Sequence, residues 1–97
     1  MPRFVLSHGA AADLRGIYDD IAADDPVAAH RVLEDIRTAM HRLADHPGLG
    51  HLRDDLADEA VRVWAVHSEL VISRPGGRPL QVVGVLSGYR DIAVLFE

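Results

Sequence analysis

Arginine, histidine and the carboxylates carry most of the chemical potential of this chain. All 10 residues counted as lysine or arginine are arginine, and cysteine is absent. Arginine offers a rigid fork of donors that suits phosphate or carboxylate. Arg62, Arg74 and Arg90 fall in or beside strand-like stretches. A site for acid–base cleavage of RNA needs such arginines and also a group that moves a proton. Tyr89 and His67 are the neighbours with that capacity. The structural alternative is that Arg62 and Arg74 pair with acids such as Asp58 or Glu69 across adjacent strands, and Arg90 with Asp91.

The other chemistry-bearing groups are scattered. The 6 histidines are His8, His30, His41, His46, His51 and His67. None forms the helical pair four residues apart, with its acid, that a zinc hydrolase motif requires. The adjacent acids Asp19-Asp20, Asp24-Asp25 and Asp54-Asp55 do not converge on one point and suit helix ends or solvated surface. Gly48-Leu49-Gly50 follows a helix rather than opening one, so it reads as a stop signal and not a phosphate loop. Ser7, Ser68, Ser73 and Ser87 lie outside any nucleophile elbow. No metal or cofactor is expected. Without cysteine there is no disulfide and no thiolate. Trp64 shares a strand face with Arg62 and suits either a core position or an interface anchor.

Charge narrows the partners. The net charge is −5, with 15 acidic residues against 10 basic ones. Gripping a phosphate backbone draws on a basic surplus, so direct nucleic-acid binding is not expected. No apolar run approaches the roughly 18 residues of a membrane span. The N-terminus turns polar too early for a signal peptide. A cytoplasmic protein without membrane contact is expected, with residues 1–97 forming a single domain.

The elements that must position these groups follow from periodicity. Arg3 to Leu6 reads as a first strand and Ser7 as a helix cap. Leu14, Ile17, Tyr18 and Ile21 recur at helical spacing, with Ala10, Ala11 and Ala22 on the same stripe. Asp13, Arg15, Asp19 and Asp20 are assigned to the other side. This helix ends near Ala23. Asp25 and Pro26 suit the cap and first position of a second helix, whose stripe is Ala29, Val32, Leu33, Ile36, Met40, Leu43 and Ala44. His46-Pro47-Gly48-Leu49-Gly50 stops it. The short connection predicts an antiparallel helix hairpin.

Gly50 to Glu59 reads as polar and irregular. Ala60–Val66, Leu70–Arg74 and Leu80–Ser87 read as strands of an antiparallel meander, with Pro75-Gly76-Gly77-Arg78 as a turn. Ile92 to Phe96 reads as a packed apolar tail. The expected fold is α+β, β-α-α-β-β-β, with a helix hairpin packed on a twisted antiparallel sheet. The first strand must pair with a later one to bury its apolar side.

These residues in this order resemble the ParE branch of the RelE/ParE toxin superfamily, over nearly the whole chain. The first marks are Leu6-Ser7, Ala11-Ala12-Asp13-Leu14-Arg15-Gly16-Ile17-Tyr18, Ile21-Ala22 and Asp25-Pro26. Next come Ala28-Ala29 with Arg31, Leu43-Ala44 with His46-Pro47 and Gly50, and Arg53 with Asp55-Leu56. Arg62 and the closing Val85-Leu86-Ser87-Gly88-Tyr89-Arg90-Asp91-Ile92 complete them.

The resemblance implies a small toxin of a type II toxin–antitoxin pair, held in a hetero-oligomer by a ParD-like antitoxin, with DNA gyrase as its target. RelE-like relatives instead cut mRNA with basic residues and often a late tyrosine. Here the position six residues after Arg90 holds Phe96, which has no hydroxyl. Gly84-Val85-Leu86-Ser87 also departs from the usual ParE-like Arg-Val-Leu-His, and Ser73 stands where an aromatic is usual. The expectation is a gyrase-inhibiting toxin with no catalytic residues of its own. Arg62, Trp64, Tyr89 and Arg90 form its target-facing set, and the antitoxin-binding residues are unassigned. The alternatives are a RelE-like mRNA endoribonuclease using Arg62, Arg90 and Tyr89, or an inactive interaction module that retains the fold.

Overall fold

Ser7 starts the first helix in the way its hydroxyl allows. In the computed structural model, which describes residues 3–46, 48–53, 61–74 and 76–87, its Oγ accepts the Ala10 amide at 3.0 Å. Helix α1 (His8–Ala22) follows. Asp25 repeats the device for α2 (Pro26–Asp45), its carboxylate accepting the Ala28 amide at 3.1 Å with Pro26 in the first turn. Such caps satisfy donors that the helix leaves orphaned. The two helices fold back on one another, so that Tyr18 meets His30. Both helices and their caps stand where the periodicity predicted them.

Among the described residues five strands form the sheet: β1 (Phe4–Leu6), β2 (His51–Arg53), β3 (Val61–Val66), β4 (Glu69–Arg74) and β5 (Leu80–Ser87), in the order β1-β5-β4-β3-β2. The last three form the expected antiparallel meander. Two features differ from the sequence reading. The segment expected to be irregular contributes β2, which pairs antiparallel with β3 at the edge. The first strand pairs with β5 in parallel, Phe4 opposite Leu80 and Leu6 opposite Val82, so the sheet is mixed. A parallel neighbour needs a long crossover, and here the helix hairpin lies within that connection. Residues 54–60 and the tail 92–96 lie outside the described residues.

The core sits on both faces of the sheet. Ala10, Ile17, Ile36, Met40 and Leu43 of the helices are buried with Val71, Leu80, Val82 and Val85 of the sheet. Strand alternation sends Leu70 and Ile72 the other way, into a second cluster with Val61 and Val63. Val82 and Val85 are three apart, yet both face the helices. A register shift explains this: Ile72 pairs with Gly84 and Ser73 with Val82, leaving Val83 as the extra residue of a bulge.

The bulge is where α1 is fastened to the sheet. The Ser7 hydroxyl donates to the Val83 carbonyl at 3.1 Å, and the Asp13 carboxylate accepts the Val85 amide at 3.0 Å. Helical periodicity alone places Asp13 on the side of α1 opposite its apolar stripe. It is half-buried instead, because it lies three residues after buried Ala10 and four before buried Ile17 on the same helix face.

Candidate functional site

Two surfaces are available for partners. The first is a groove between α1, α2 and the edge strand β1. A cavity of about 470 Å³ there has an apolar floor of Phe4, Leu6, Leu14, Leu33 and Met40. His30, Glu34 and Arg37, one turn apart along α2, supply its exposed polar side. A smaller hollow of about 250 Å³ adjoins it through Leu14 and Leu33, and is bordered by Arg15, Tyr18 and Asp19. Between them the Tyr18 hydroxyl lies 3.2 Å from His30 Nε2, and the two rings meet edge to face.

The sheet edge continues this groove. Among the described residues β1 has β5 on one side only, and its Val5 and Leu6 are 39% and 37% exposed. An unpaired edge is a template for strand addition. Arg3, ahead of β1, forms an ion pair with Asp45 at the end of α2, which ties the edge strand to the helix lining the groove. The sequence reading named no residue of this surface for antitoxin binding. Leu14 and Leu33 were legible only as members of their helical stripes.

The second surface is β3. Arg62 and Trp64 lie on the same face of that strand, opposite Ser73 and Val71 of β4. Both are half-buried. Trp64 packs on the helix-side core, so its ring is engaged with the interior as well as partly open. Arg62 also pairs in register with Leu52 of the edge strand β2, and Leu52 is exposed. Of the acids suggested as partners for Arg62 and Arg74, Asp58 lies outside the described residues, and Glu69 accepts a hydrogen bond from the Ser87 hydroxyl at 2.7 Å. Arg74 lies 3.4 Å from Gln81. Tyr89 and Arg90 lie outside the described residues. His67, at the β3–β4 turn, meets Asp35 of α2 at 2.6 Å. Among the described residues no cluster of three or more histidines or acids suits a metal ion. No helix among them is long and apolar enough to cross a membrane.

A two-helix hairpin over this sheet, with a groove at one edge, is an arrangement suited to protein contacts. Residues 4–92 match the family model described as the ParE toxin of the type II toxin–antitoxin system, parDE. The chain belongs to the ParE toxin family. Its place is therefore that of the toxin in a type II ParDE toxin–antitoxin system. A solved structure titled as the chromosomal ParDE TA system from P. aeruginosa is similar, with a TM-score of 0.72 and 23% identity over 87% of this chain and 92% of that one. At that identity the likeness concerns the ParE fold, including the helix pair on the mixed sheet. No curated protein matches the chain.

Proposed function

We propose that this ParE-family toxin acts in the cytoplasm by binding DNA gyrase and blocking it, without catalytic residues of its own. The observation that carries the reading is the family match over residues 4–92. The net charge of −5 supports a protein target over a bare phosphate backbone. Phe96 lacks the hydroxyl that a nuclease of the related type would use to move a proton. Arg62 and Trp64 on β3, with Tyr89 and Arg90, form the target-facing set.

A ParD-type antitoxin neutralises the toxin in a hetero-oligomer by occupying the α1–α2–β1 groove. The groove's apolar floor suits one face of an amphipathic helix, and the edge of β1, which has no second neighbour among the described residues, suits an added strand. Two assays on the purified chain test the target. Inhibition of gyrase supercoiling with intact mRNA on ribosomes supports the reading, and cleaved mRNA overturns it in favour of an endoribonuclease. No effect in either assay, with normal growth on expression, leaves an inactive interaction module.

A further inference from the structure

The groove between α1, α2 and β1 has charged walls above its apolar floor. On α1, Arg15 and Asp19 border the smaller hollow, one turn apart on one face. On α2, Glu34 and Arg37 line the larger cavity, again one turn apart. α1 runs toward the hairpin tip at residues 23–25, and α2 runs away from it. The acid of each pair therefore lies nearer the tip than its arginine. Tyr18 meets His30 across the hairpin. With that register Asp19 stands at the tip end, Arg15 and Glu34 in the middle, and Arg37 toward the far end. β1 marks the far end, where Phe4 meets His41 edge to face and Arg3 pairs with Asp45.

These charges are open to a partner. All four side chains belong to exposed residues. Glu34 and Arg37 are 4.0 Å apart, with side chains 71% and 65% exposed. So loose and wet a pair contributes little, and exchanging it for partner groups costs little. An occupant of the floor would exclude water beside these groups, where opposite charges attract and like charges repel more strongly. Apolar burial on Leu14 and Leu33 is non-directional, so the floor accepts a helix pointing either way. The charged walls distinguish the two directions.

We propose that this acid-to-arginine polarity is the specificity determinant of the groove. It selects an antitoxin helix with basic side chains over Asp19 at the tip and acidic side chains over Arg37 near β1. This rests on the reading that the antitoxin occupies the groove. Two double exchanges in the full chain test it: Arg15→Asp with Asp19→Arg, and Glu34→Arg with Arg37→Glu. Each keeps the net charge and the opposite-sign pair on its helix, and reverses only their order along the groove. Arg42→Glu, exposed on α2 and outside both linings, changes net charge alone. Leu6→Asp reports on the groove itself. Affinity for the ParD-type antitoxin is read at low and at about 1 M salt, beside thermal unfolding.

Each exchange is expected to weaken binding at least about tenfold at low salt and to come within about twofold of the parent at about 1 M. Unfolding temperatures should stay close to the parent, and Arg42→Glu should bind within about twofold of it. Parent-like binding by both exchanges beside an impaired Leu6→Asp overturns the proposal and leaves the groove reading standing. A loss that persists at high salt, or that follows unfolding temperature, also overturns it, because the cause is then packing. An equal loss in Arg42→Glu overturns it in favour of net charge. Parent-like binding by Leu6→Asp removes the groove reading, and the proposal falls with it.

Discussion

The Asp13 carboxylate on α1 accepts the backbone amide of Val85 on β5 at 3.0 Å. The bond spans 72 positions of sequence and sits beside the bulge at Val83, with the Ser7 hydroxyl on the Val83 carbonyl. A bulge leaves ladder groups unpaired, and a half-buried amide without a partner is destabilising. Asp13→Ala should therefore lower stability by about 1–3 kcal/mol. Asp13→Asn, which keeps an acceptor oxygen, should lose less. Urea unfolding of the two variants checks the difference.

Glycine substitutions should separate by site. Gly50 has φ +86°, and a Cβ there would lie 2.8 Å from the Val63 carbonyl oxygen. Backbone strain and a clash with a strand combine, so Gly50→Ala should destabilise by about 2 kcal/mol or more. Gly76 has φ +83° but open space around it, and Gly76→Ala should lose only about 1 kcal/mol. Gly16 lies within α1, exposed and with nothing near its Cβ position. Gly16→Ala should stabilise by about 0.5–1 kcal/mol. Thermal unfolding of the three variants tests this order.

The groove predicts which changes impair antitoxin binding alone. Leu6 lines it, lies on the edge strand and is partly exposed. Leu6→Asp should weaken antitoxin binding at least about tenfold, the effect of losing a buried leucine contact. Leu52→Asp, at the opposite edge of the sheet, should leave that affinity within about twofold. Titration calorimetry with the antitoxin measures both.

His67 and Asp35 give a small effect that a double-mutant cycle resolves. The pair joins the β3–β4 turn to α2, and both side chains are nearly half exposed, so their coupling should be under about 1 kcal/mol. His67 also holds φ 55°, a left-handed conformation. With Asp35 already replaced by Ala, His67→Gly should raise stability by about 1 kcal/mol by relieving that conformation.

Much of the fold is written in local pattern. Ser7 and Asp25 sit at helix starts because a short oxygen-bearing side chain there meets an orphan amide, and both are read from residue type and position alone. The run Leu80–Ser87 is recognisable end to end from its β-branched content. β2 is not, because three residues, His51 to Arg53, are too few to show alternation. Arg62 and Trp64 share a face by strand alternation, as expected. That Trp64 rests against the helix-side core depends on how α2 crosses β3, which no residue of β3 encodes by itself.

The sequence by itself determined the two helices, their caps, the meander strands and the family to which the chain belongs, since each rests on spacing and residue type along the chain. Tertiary structure alone decided the parallel pairing of β1 with β5, the bulge at Val83, the burial of Glu69 against Ser87 and the turn of Asp13 toward the sheet. These depend on backbone groups far apart in sequence meeting in one register. Hydrophobic pattern selects the face a strand buries. Only the assembled sheet leaves a particular amide or hydroxyl needing a partner, and so gives a polar side chain its place.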